Sequence, residues 1–180
     1  DCAGVQAQYD SEMVYGSVRQ QLAWQGIIFT DTDTALREHP EIVRKYFGSV
    51  VRPTDSMFAA LNFALWSGGV FVYLPAGTAV DSPLHGYYHV HAQQFGQFEH
   101  TLIVLEEGAR LNYVEACSSR ATPGQSLHAG VVEIFLAPHA CCRFASVQNW
   151  AQPVYSLATR RAALHERATI HWIGGNLGSR

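Results

Sequence analysis

A pattern that recurs four times constrains this chain more than any other feature. Each copy contains a Leu, a turn position three residues later, a small residue directly after the turn, and then an alternating apolar segment. The turn positions, separated by 31, 31 and 28 residues, are Gly77, Gly108, His139 and Arg167. The Leu positions are Leu74, Leu105, Leu136 and Leu164, and the small residues are Thr78, Ala109, Ala140 and Ala168.

The segments after the turns share one register. Three residues after the turn stand Val80, Leu111, Cys142 and Ile170, and five residues after it stand Ser82, Tyr113, Phe144 and Trp172. Self-similarity at a fixed period is typical of solenoids, whose repeats bury their apolar faces only against their neighbours. Because the alternation has period two, the segments are predicted strands. The sequence therefore predicts a mainly β fold, a parallel β-helix with one repeat per coil. A sandwich or barrel with evenly spaced hairpins is the alternative.

The pattern divides the chain into a helical N-terminal segment, residues 1–69, and a β-helix core, residues 70–180. Capping residues and helical spacing predict helices over residues 35–38, 41–47 and 55–66, the last capped by Thr54 or Asp55. A further short helix is predicted over residues 13–22. The predicted strands cover residues 70–74, 101–105, 113–116, 131–136, 144–148 and 170–173. The Gly-rich residues 174–178 are predicted to form a turn.

Composition restricts the class of protein. A chain of 180 residues with 48% hydrophobic and 15% charged residues can bury the core of one domain. The net charge of −3 does not favour binding to nucleic acid or to an anionic membrane. No apolar run in the sequence is long enough to span a bilayer. The four Cys show no CxxC motif, which indicates a reducing, cytoplasmic setting. Because the chain begins at Asp1 without a Met, we expect it to be part of a longer protein.

Two histidines stand at the spacing that metal ligands on one strand face require. His89 and His91 flank Val90, so both imidazoles should lie on the same side of a strand. A cupin-like, metal-dependent enzyme could use this pair, together with His100. The Glu expected soon after such a pair is missing, and Gln93 and Gln94 stand there instead. The simpler interpretation is a row of half-exposed strand residues.

The cysteines differ in their predicted environments. Cys117 stands where apolar alternation changes into a polar loop, so its thiol is expected to be reachable from solvent. A buried, unreactive thiol is the alternative. Cys142 occupies the inward register of Leu111 and Ile170, whereas Cys141 has the opposite orientation.

Longer motifs resemble a known family. They lie in order over residues 29–35, 37–41, 45–51, 58–62, 66–69, 96–99, 113–117, 126–129, 132–134, 148–150 and 175–179. Together they resemble the SufB/SufD family, scaffolds of the SUF iron–sulfur cluster assembly system, and most closely its SufB members. The resemblance covers roughly residues 25–180. It implies a right-handed parallel β-helix, which agrees with the repeat found independently.

The resemblance also implies roles for individual residues. Cys117 matches the position that accepts sulfane sulfur as a persulfide, and Gln148 and Trp150 match positions along the sulfur route through the β-helix. His89 and His91 fall on the same route, at positions where relatives often carry Arg and Asn. The chain is then a scaffold and not an enzyme.

The resemblance further implies partners. Members of the family work with the SufC ATPase, with SufD and with the sulfur donors SufE and SufS, and they carry an iron–sulfur cluster. They are more than twice as long as this chain, and the missing part holds the proposed cluster ligands and the SufC-docking segment. We therefore expect neither a tightly bound cluster nor SufC binding here. An uncovered last coil predicts a homo-oligomer, a dimer that buries residues 145–180.

Overall fold

The chain forms a parallel β-solenoid of about three turns with a few helices near its N-terminus. The structure is a computed structural model that describes residues 2–18, 20–121, 123–152 and 154–178. Ser179 and Arg180, at the end of the last family motif and of the expected dimer surface, lie outside the described residues, as does Asp1. Among the described residues, no helix is both long and apolar enough to cross a membrane.

The elements follow one another in a repeating order. The helices are α1 (Gln20–Trp24), α2 (Thr32–Glu38), α3 (Pro40–Tyr46) and α4 (Met57–Leu65). The first seven strands are β1 (Gly4–Tyr9), β2 (Glu12–Val18), β3 (Ile28–Asp31), β4 (Val70–Leu74), β5 (Ala79–Val90), β6 (Gly96–Gln97) and β7 (His100–Leu105). The others are β8 (Arg110–Ser119), β9 (Ser126–His128), β10 (Val131–Leu136), β11 (Cys141–Asn149), β12 (Val154–Ser156), β13 (Thr159–Leu164) and β14 (Thr169–Gly178).

The strands build three sheets, and each full coil adds one strand to every sheet. The six-stranded sheet has the order β14-β11-β8-β5-β1-β2, the five-stranded sheet β13-β10-β7-β4-β3, and the three-stranded sheet β12-β9-β6. Neighbouring coils pair in parallel, whereas the β1–β2 and β3–β4 pairs are antiparallel. The predicted β-helix architecture is thus confirmed.

The strand register agrees with the sequence repeat. Leu74 pairs with Leu105, Leu105 with Leu136, and Leu136 with Leu164. In the next sheet, the four residues that stand three positions after the turn are also neighbours: Val80, Leu111, Cys142 and Ile170. The repeat fails at one position. Tyr113 pairs with Leu84 instead of Ser82, because the register shifts between Val80 and Leu84.

All four turn positions adopt the left-handed backbone conformation. The φ angles are 70° at Gly77, 68° at Gly108, 63° at His139 and 55° at Arg167. Residues with a Cβ rarely adopt this region, because Cβ approaches the following carbonyl oxygen. All four turns nevertheless keep this conformation, even the two in which His or Arg stands in place of Gly.

The inward Leu ladder is buried in three coils and open in the fourth. Leu74, Leu105 and Leu136 are at most 1% exposed, but Leu164 is 45% exposed. The prediction that Leu164 belongs to the buried ladder is therefore wrong. Its strand β13 pairs with β10 on one side, and no other strand of the described ranges lies on its opposite side. Ile170 is only partly buried for the same reason.

The N-terminal segment is less helical than predicted. The helices near residues 35, 41 and 55 are confirmed, although Ser56, and not Thr54 or Asp55, caps α4 by accepting a bond from the Ala59 N–H at 3.0 Å. The helix predicted over residues 13–22 is wrong, because Glu12–Val18 is a strand and only Gln20–Trp24 is helical. Strand β1 pairs with β5 and extends the solenoid sheet. The division at residue 69 stays a prediction.

The turn predicted over residues 174–178 is also wrong. These residues continue β14 and pair with β11, with Gly174 opposite Ser146 and Gly178 opposite Asn149. A Cβ on Gly178 would lie 2.5 Å from the carbonyl oxygen of Trp150. Glycine here permits close approach of two backbones within a ladder, which is a second use of Gly besides turns.

A buried charged group joins the N-terminal segment to the outer side of the five-stranded sheet. The Glu133 carboxylate accepts bonds from the N–H groups of Gly48 (2.6 Å), Val50 (2.7 Å) and Val51 (2.9 Å). It also accepts one from His100 Nε2 at 2.8 Å. Burial opposes ionisation of Glu133, but the bonds from His100, Val51 and Gly48 prevail and lower its pKa below the usual 4.5.

Asn62 completes this group and fixes the orientation of the His100 ring. The Asn62 amide nitrogen donates to the carbonyl oxygens of Glu99 (2.9 Å) and Ala129 (2.8 Å). Its Oδ1 therefore faces His100 Nδ1, 3.1 Å away, and can only accept. The two ring nitrogens of His100 thus lie between the Asn62 amide and the Glu133 carboxylate, and the ring is held from both sides.

The Leu ladder predicts a graded loss of stability. Leu105→Ala should lower the free energy of unfolding by about 2–5 kcal/mol, because it leaves a cavity in a packed interior. Leu164→Ala, at the same register in the open coil, is the matched control and should cost clearly less. Urea unfolding of both variants measures the difference. Equal losses would contradict the ladder.

Glu133 predicts a loss of stability in acid. Because its pKa is lower in the folded chain, the stability it contributes is complete above the ordinary pKa of 4.5 and is lost as the pH falls through the folded value. Glu133→Gln should cost about 3–5 kcal/mol at neutral pH, since it removes a buried charge and leaves the donors that surround it without their partner. Unfolding measured against pH should show a shallower acid decline in this variant. The exposed Glu107→Gln serves as control and should retain the full decline.

Candidate functional site

One half of the solenoid interior is apolar and the other half is polar. Along β8 the inward residues are Leu111 and Tyr113, followed by Glu115 and Cys117. Along β11 the inward residues change in the same way, from Cys142 and Phe144 to the polar pair Ser146 and Gln148. The inward polar side chains here form what we call the lumen cluster: Glu99, Glu115, Cys117, His128, Ser146, Gln148, Trp150 and Arg160.

Cys117 lies inside this cluster and not at the surface. Its side chain is 1% exposed, and in the register its neighbours are Tyr88 on β5 and Gln148 on β11. The expectation that solvent reaches this thiol is therefore wrong, because β8 continues through Ser119 and Cys117 takes the inward position. Burial, followed by the charges of Glu115 and Glu99, raises the pKa of Cys117 well above the ordinary 9.0.

The other cysteines follow the predicted orientations. Cys142 is fully buried between Leu111 and Ile170, and burial raises its pKa to about 12. Cys141 is half-buried and on the opposite face of β11. Cys117 alone among the three has polar side chains of the lumen cluster around it.

Gln148 and Trp150 join Cys117 in the lumen cluster. Trp150 Nε1 donates to Gln148 Oε1 at 2.7 Å, and Gln148 Nε2 donates to Ser146 Oγ at 2.8 Å. A hydrogen bond from Gln148 partly offsets the raised pKa of Cys117. Three residues assigned to one sulfur route on sequence grounds are therefore neighbours in space.

Arg160 balances one of the two carboxylates of the cluster. Its Nη2 lies 3.0 Å from Glu115 Oε1 and 3.2 Å from Ser146 Oγ. Burial opposes the charge of Arg160, but attraction to Glu115 prevails and raises the pKa of Arg160. The Glu115 side chain, 2% exposed, thus has a partly buried guanidinium partner.

Glu99 and His128 form the second hydrogen-bonded pair of the cluster. His128 Nε2 is hydrogen-bonded to Glu99 Oε1, and His128 Nδ1 lies 2.9 Å from Ser156 Oγ. The His128 ring also packs against Trp150, with ring centroids 4.5 Å apart. Within the described residues, Glu99 Oε2 and Glu115 Oε2 are buried without a hydrogen-bond partner. Buried carboxylate oxygens without a hydrogen-bond partner cost desolvation energy in a folded protein.

The structure does not bring His89 and His91 to this cluster. Inward positions of β5 belong to Tyr88 and Val90, so His89 is on the outer side, with Nδ1 2.8 Å from Ser118 Oγ. His91 follows the strand and is exposed. His100 is held by Glu133 and Asn62, away from both. The cupin-like metal site is therefore wrong, because its three histidines do not converge.

Sequence reasoning did not single out Glu99, Glu115, His128 or Arg160 as site residues. Glu115 could have been found from the strand alternation. It occupies the same set of alternate, inward positions along β8 as Leu111, Tyr113 and Cys117. Charged residues are rarely buried without a partner, so a Glu in that register indicates a polar interior. His128 and Arg160 depend on coil stacking and have no comparable local pattern.

Comparison with known proteins identifies the family. The SufBD core domain of SUF system FeS cluster assembly matches residues 88–180, and the SufBD protein N-terminal region matches residues 9–85. The iron-sulfur cluster assembly protein SufB of Bacillus subtilis is 48% identical over 178 residues. Iron-sulfur cluster assembly SufBD family proteins of Staphylococcus epidermidis and Staphylococcus haemolyticus are 49% identical over 178 residues. These alignments cover 99% of this chain but only 38% of each relative.

The buried environment of Cys117 predicts slow alkylation. In the folded chain, iodoacetamide should modify Cys117 about tenfold or more slowly than Cys141, because each unit of raised pKa lowers the thiolate fraction tenfold. The rate at Cys117 should still increase above pH 9.0, the ordinary thiol value. Peptide mass mapping after timed labelling measures both rates. In denaturant the two rates should become equal, whereas equal rates in the folded chain would contradict the buried thiol.

Proposed function

Because the chain belongs to the SufBD family of iron–sulfur cluster assembly proteins, we propose that it accepts sulfane sulfur on Cys117 and guides it along the polar half of the solenoid interior. The chain spans 38% of the length of its curated relatives, so this proposal concerns the part of the scaffold that handles sulfur. The role is that of a scaffold that receives and positions a reactant, not that of an enzyme.

One observation carries the proposal. Cys117 is a buried thiol in the polar half of the solenoid interior, next to Gln148 in the strand register and close to the charges of Glu115 and Glu99. A thiol kept only for packing would be expected among apolar groups, as Cys142 is. Burying Glu115, Gln148 and Ser146 near Cys117 costs desolvation energy. A polar sulfur species that binds to these groups would explain why they are present.

The proposed transfer is an exchange between thiols. The Cys117 thiolate attacks the outer sulfur of a donor persulfide, so a new S–S bond forms on Cys117 and the S–S bond of the donor breaks. The electron pair of the broken bond leaves with the donor thiolate, which takes up the proton that Cys117 released. No oxidant or reductant is consumed. Because burial disfavours the Cys117 thiolate, the reaction requires access of the donor and deprotonation together.

Gln148 and Trp150 are suited to the proposed route. The Gln148 amide nitrogen donates in the direction of Glu115 and Ser146, and the Trp150 indole N–H donates to Gln148. N–H donors of this kind stabilise a persulfide anion, which is acceptor-only. We keep His89 and His91 in the proposal as the outer end of the route, since His89 contacts Ser118, the residue next to Cys117.

The partners belong to the same proposal. Sulfur would come from SufE and SufS, and assembly would involve SufD, while SufC would dock on a part of the scaffold beyond these residues. The iron–sulfur cluster is then the product that the scaffold helps to build. We also propose a cytoplasmic location and self-association through the outer coil, where Trp172, Ile173 and Leu177 are exposed.

Persulfide mapping tests the proposal. After incubation with a persulfide donor, mass spectrometry should find one additional sulfur atom on Cys117, and Cys117→Ser should abolish it. Cys142→Ala is the matched control, because it also removes a buried thiol from the interior but leaves the lumen cluster intact. Modification of Cys141 or Cys142 with unmodified Cys117 would contradict the proposal.

A further inference from the structure

We propose that Glu99, Cys117 and His128 form a binding site for one divalent transition-metal ion of the Zn²⁺ type. One ligand atom from each residue lies within 4.8 Å of the other two, and all three residues are buried. Thiolate sulfur, imidazole nitrogen and carboxylate oxygen are the donors that Zn²⁺ and Fe²⁺ accept in proteins. This inference concerns a single ion and is independent of the proposed sulfur transfer.

The solenoid brings these donors together from different sheets. Cys117 comes from β8, His128 from β9, and Glu99 directly precedes β7. Gly130 keeps the space between them open, since a Cβ there would collide with Glu99 Oε1 and lie 3.0 Å from His128 Nε2. Ligand atoms of a tetrahedral site are about 3.3–3.8 Å apart, given bond lengths of about 2.0–2.3 Å. Ion binding therefore needs the longer separations to shorten by at most about 1 Å, and it needs the hydrogen-bonded Glu99 Oε1 and His128 Nε2 to move apart.

Neighbouring residues orient His128 as the neighbours of metal-bound histidines do. Ser156 Oγ lies 2.9 Å from Nδ1, which leaves Nε2 facing Glu99 and Cys117. Trp150 packs against the ring and limits its rotation. A hydrogen bond to the second ring nitrogen is a general feature of metal-ligating histidines, and its loss weakens metal binding.

The charges of the lumen cluster favour a bound cation. Glu115 is paired with Arg160, but Glu99 has no Lys or Arg partner among the described residues, and its Oε2 is buried and unpaired. A divalent ion with one carboxylate, one thiolate and one neutral imidazole has zero net charge, which is the least costly state in a buried site. Binding replaces two protons, one from the Cys117 thiol and one shared by Glu99 and His128.

Three protein ligands leave a fourth coordination position open. Structural zinc sites normally have four protein ligands, whereas sites that handle an exchangeable ligand keep one position free. The ion would also occupy the sulfur atom that accepts sulfane sulfur in the proposed function. Metal and persulfide would thus compete for Cys117, and each would exclude the other.

Cobalt binding tests the site. Anaerobic titration of the purified chain with Co²⁺ should give a thiolate-to-cobalt charge-transfer band that saturates at one ion, and Zn²⁺ should remove the band by displacing Co²⁺. Cys117→Ser should abolish the band, and Glu99→Gln should weaken binding by about tenfold or more. Cys141→Ser is the matched control, because it removes a half-buried thiol outside the cluster and should leave the band unchanged.

A second measurement does not depend on the folding of variants. X-ray absorption of the Zn²⁺-loaded, unmutated chain should show one sulfur ligand together with nitrogen and oxygen ligands. A shell of nitrogen and oxygen alone, as surface histidines would give, overturns the inference. So does a cobalt band that survives both Cys117→Ser and Glu99→Gln. Absence of persulfide on Cys117 would instead contradict only the sulfur transfer, since metal binding needs no donor.

Discussion

Parallel hydrogen-bonded ladders between successive coils determine where every inward side chain of this chain lies. In such a ladder, equivalent positions of neighbouring coils stack directly, so a residue that points inward in one coil contacts its counterparts above and below. Leu105 contacts Leu74 and Leu136 in this way, and Cys117 contacts Tyr88 and Gln148. A change of one residue in register would reverse these orientations and place the polar half of the interior outside. Packing and chemistry therefore depend on the same backbone bonds.

The ladders also explain how a short solenoid can contain buried charge. Two carboxylates of the lumen cluster come from neighbouring coils, and each has a partner supplied by a later coil. Glu115 pairs with Arg160, and Glu99 pairs with His128. On the outer side, Glu133 and His100 come from adjacent strands of the five-stranded sheet. Removing one member of such a pair costs more than the pair itself contributes, so these residues stabilise the fold only together.

Both proposals involve the Cys117 thiol. The same sulfur atom would accept sulfane sulfur and bind a divalent ion, and it is surrounded by groups that suit either reactant. Burial makes the free thiol poorly reactive, since it raises the pKa of Cys117. In both proposals, the Cys117 thiol would lose its proton as the metal ion or the sulfur donor binds. A scaffold that handles reactive sulfur benefits from a thiol that remains inert until its reactant is present.

The sequence alone determined the solenoid, its period and most of its strand register, because each coil repeats the same local requirement for a turn and an alternating strand. Family motifs also made Cys117, Gln148 and Trp150 candidates for one site, and the structure places them together. Only the tertiary structure decided that Cys117 is buried, that His89 faces outward, and that Leu164 is exposed. Burial depends on which coil lies next to a strand, and a local pattern carries no such information. The union of Glu99, Cys117 and His128 likewise arises from coil stacking, since these residues share no motif and come from separate strands and turns.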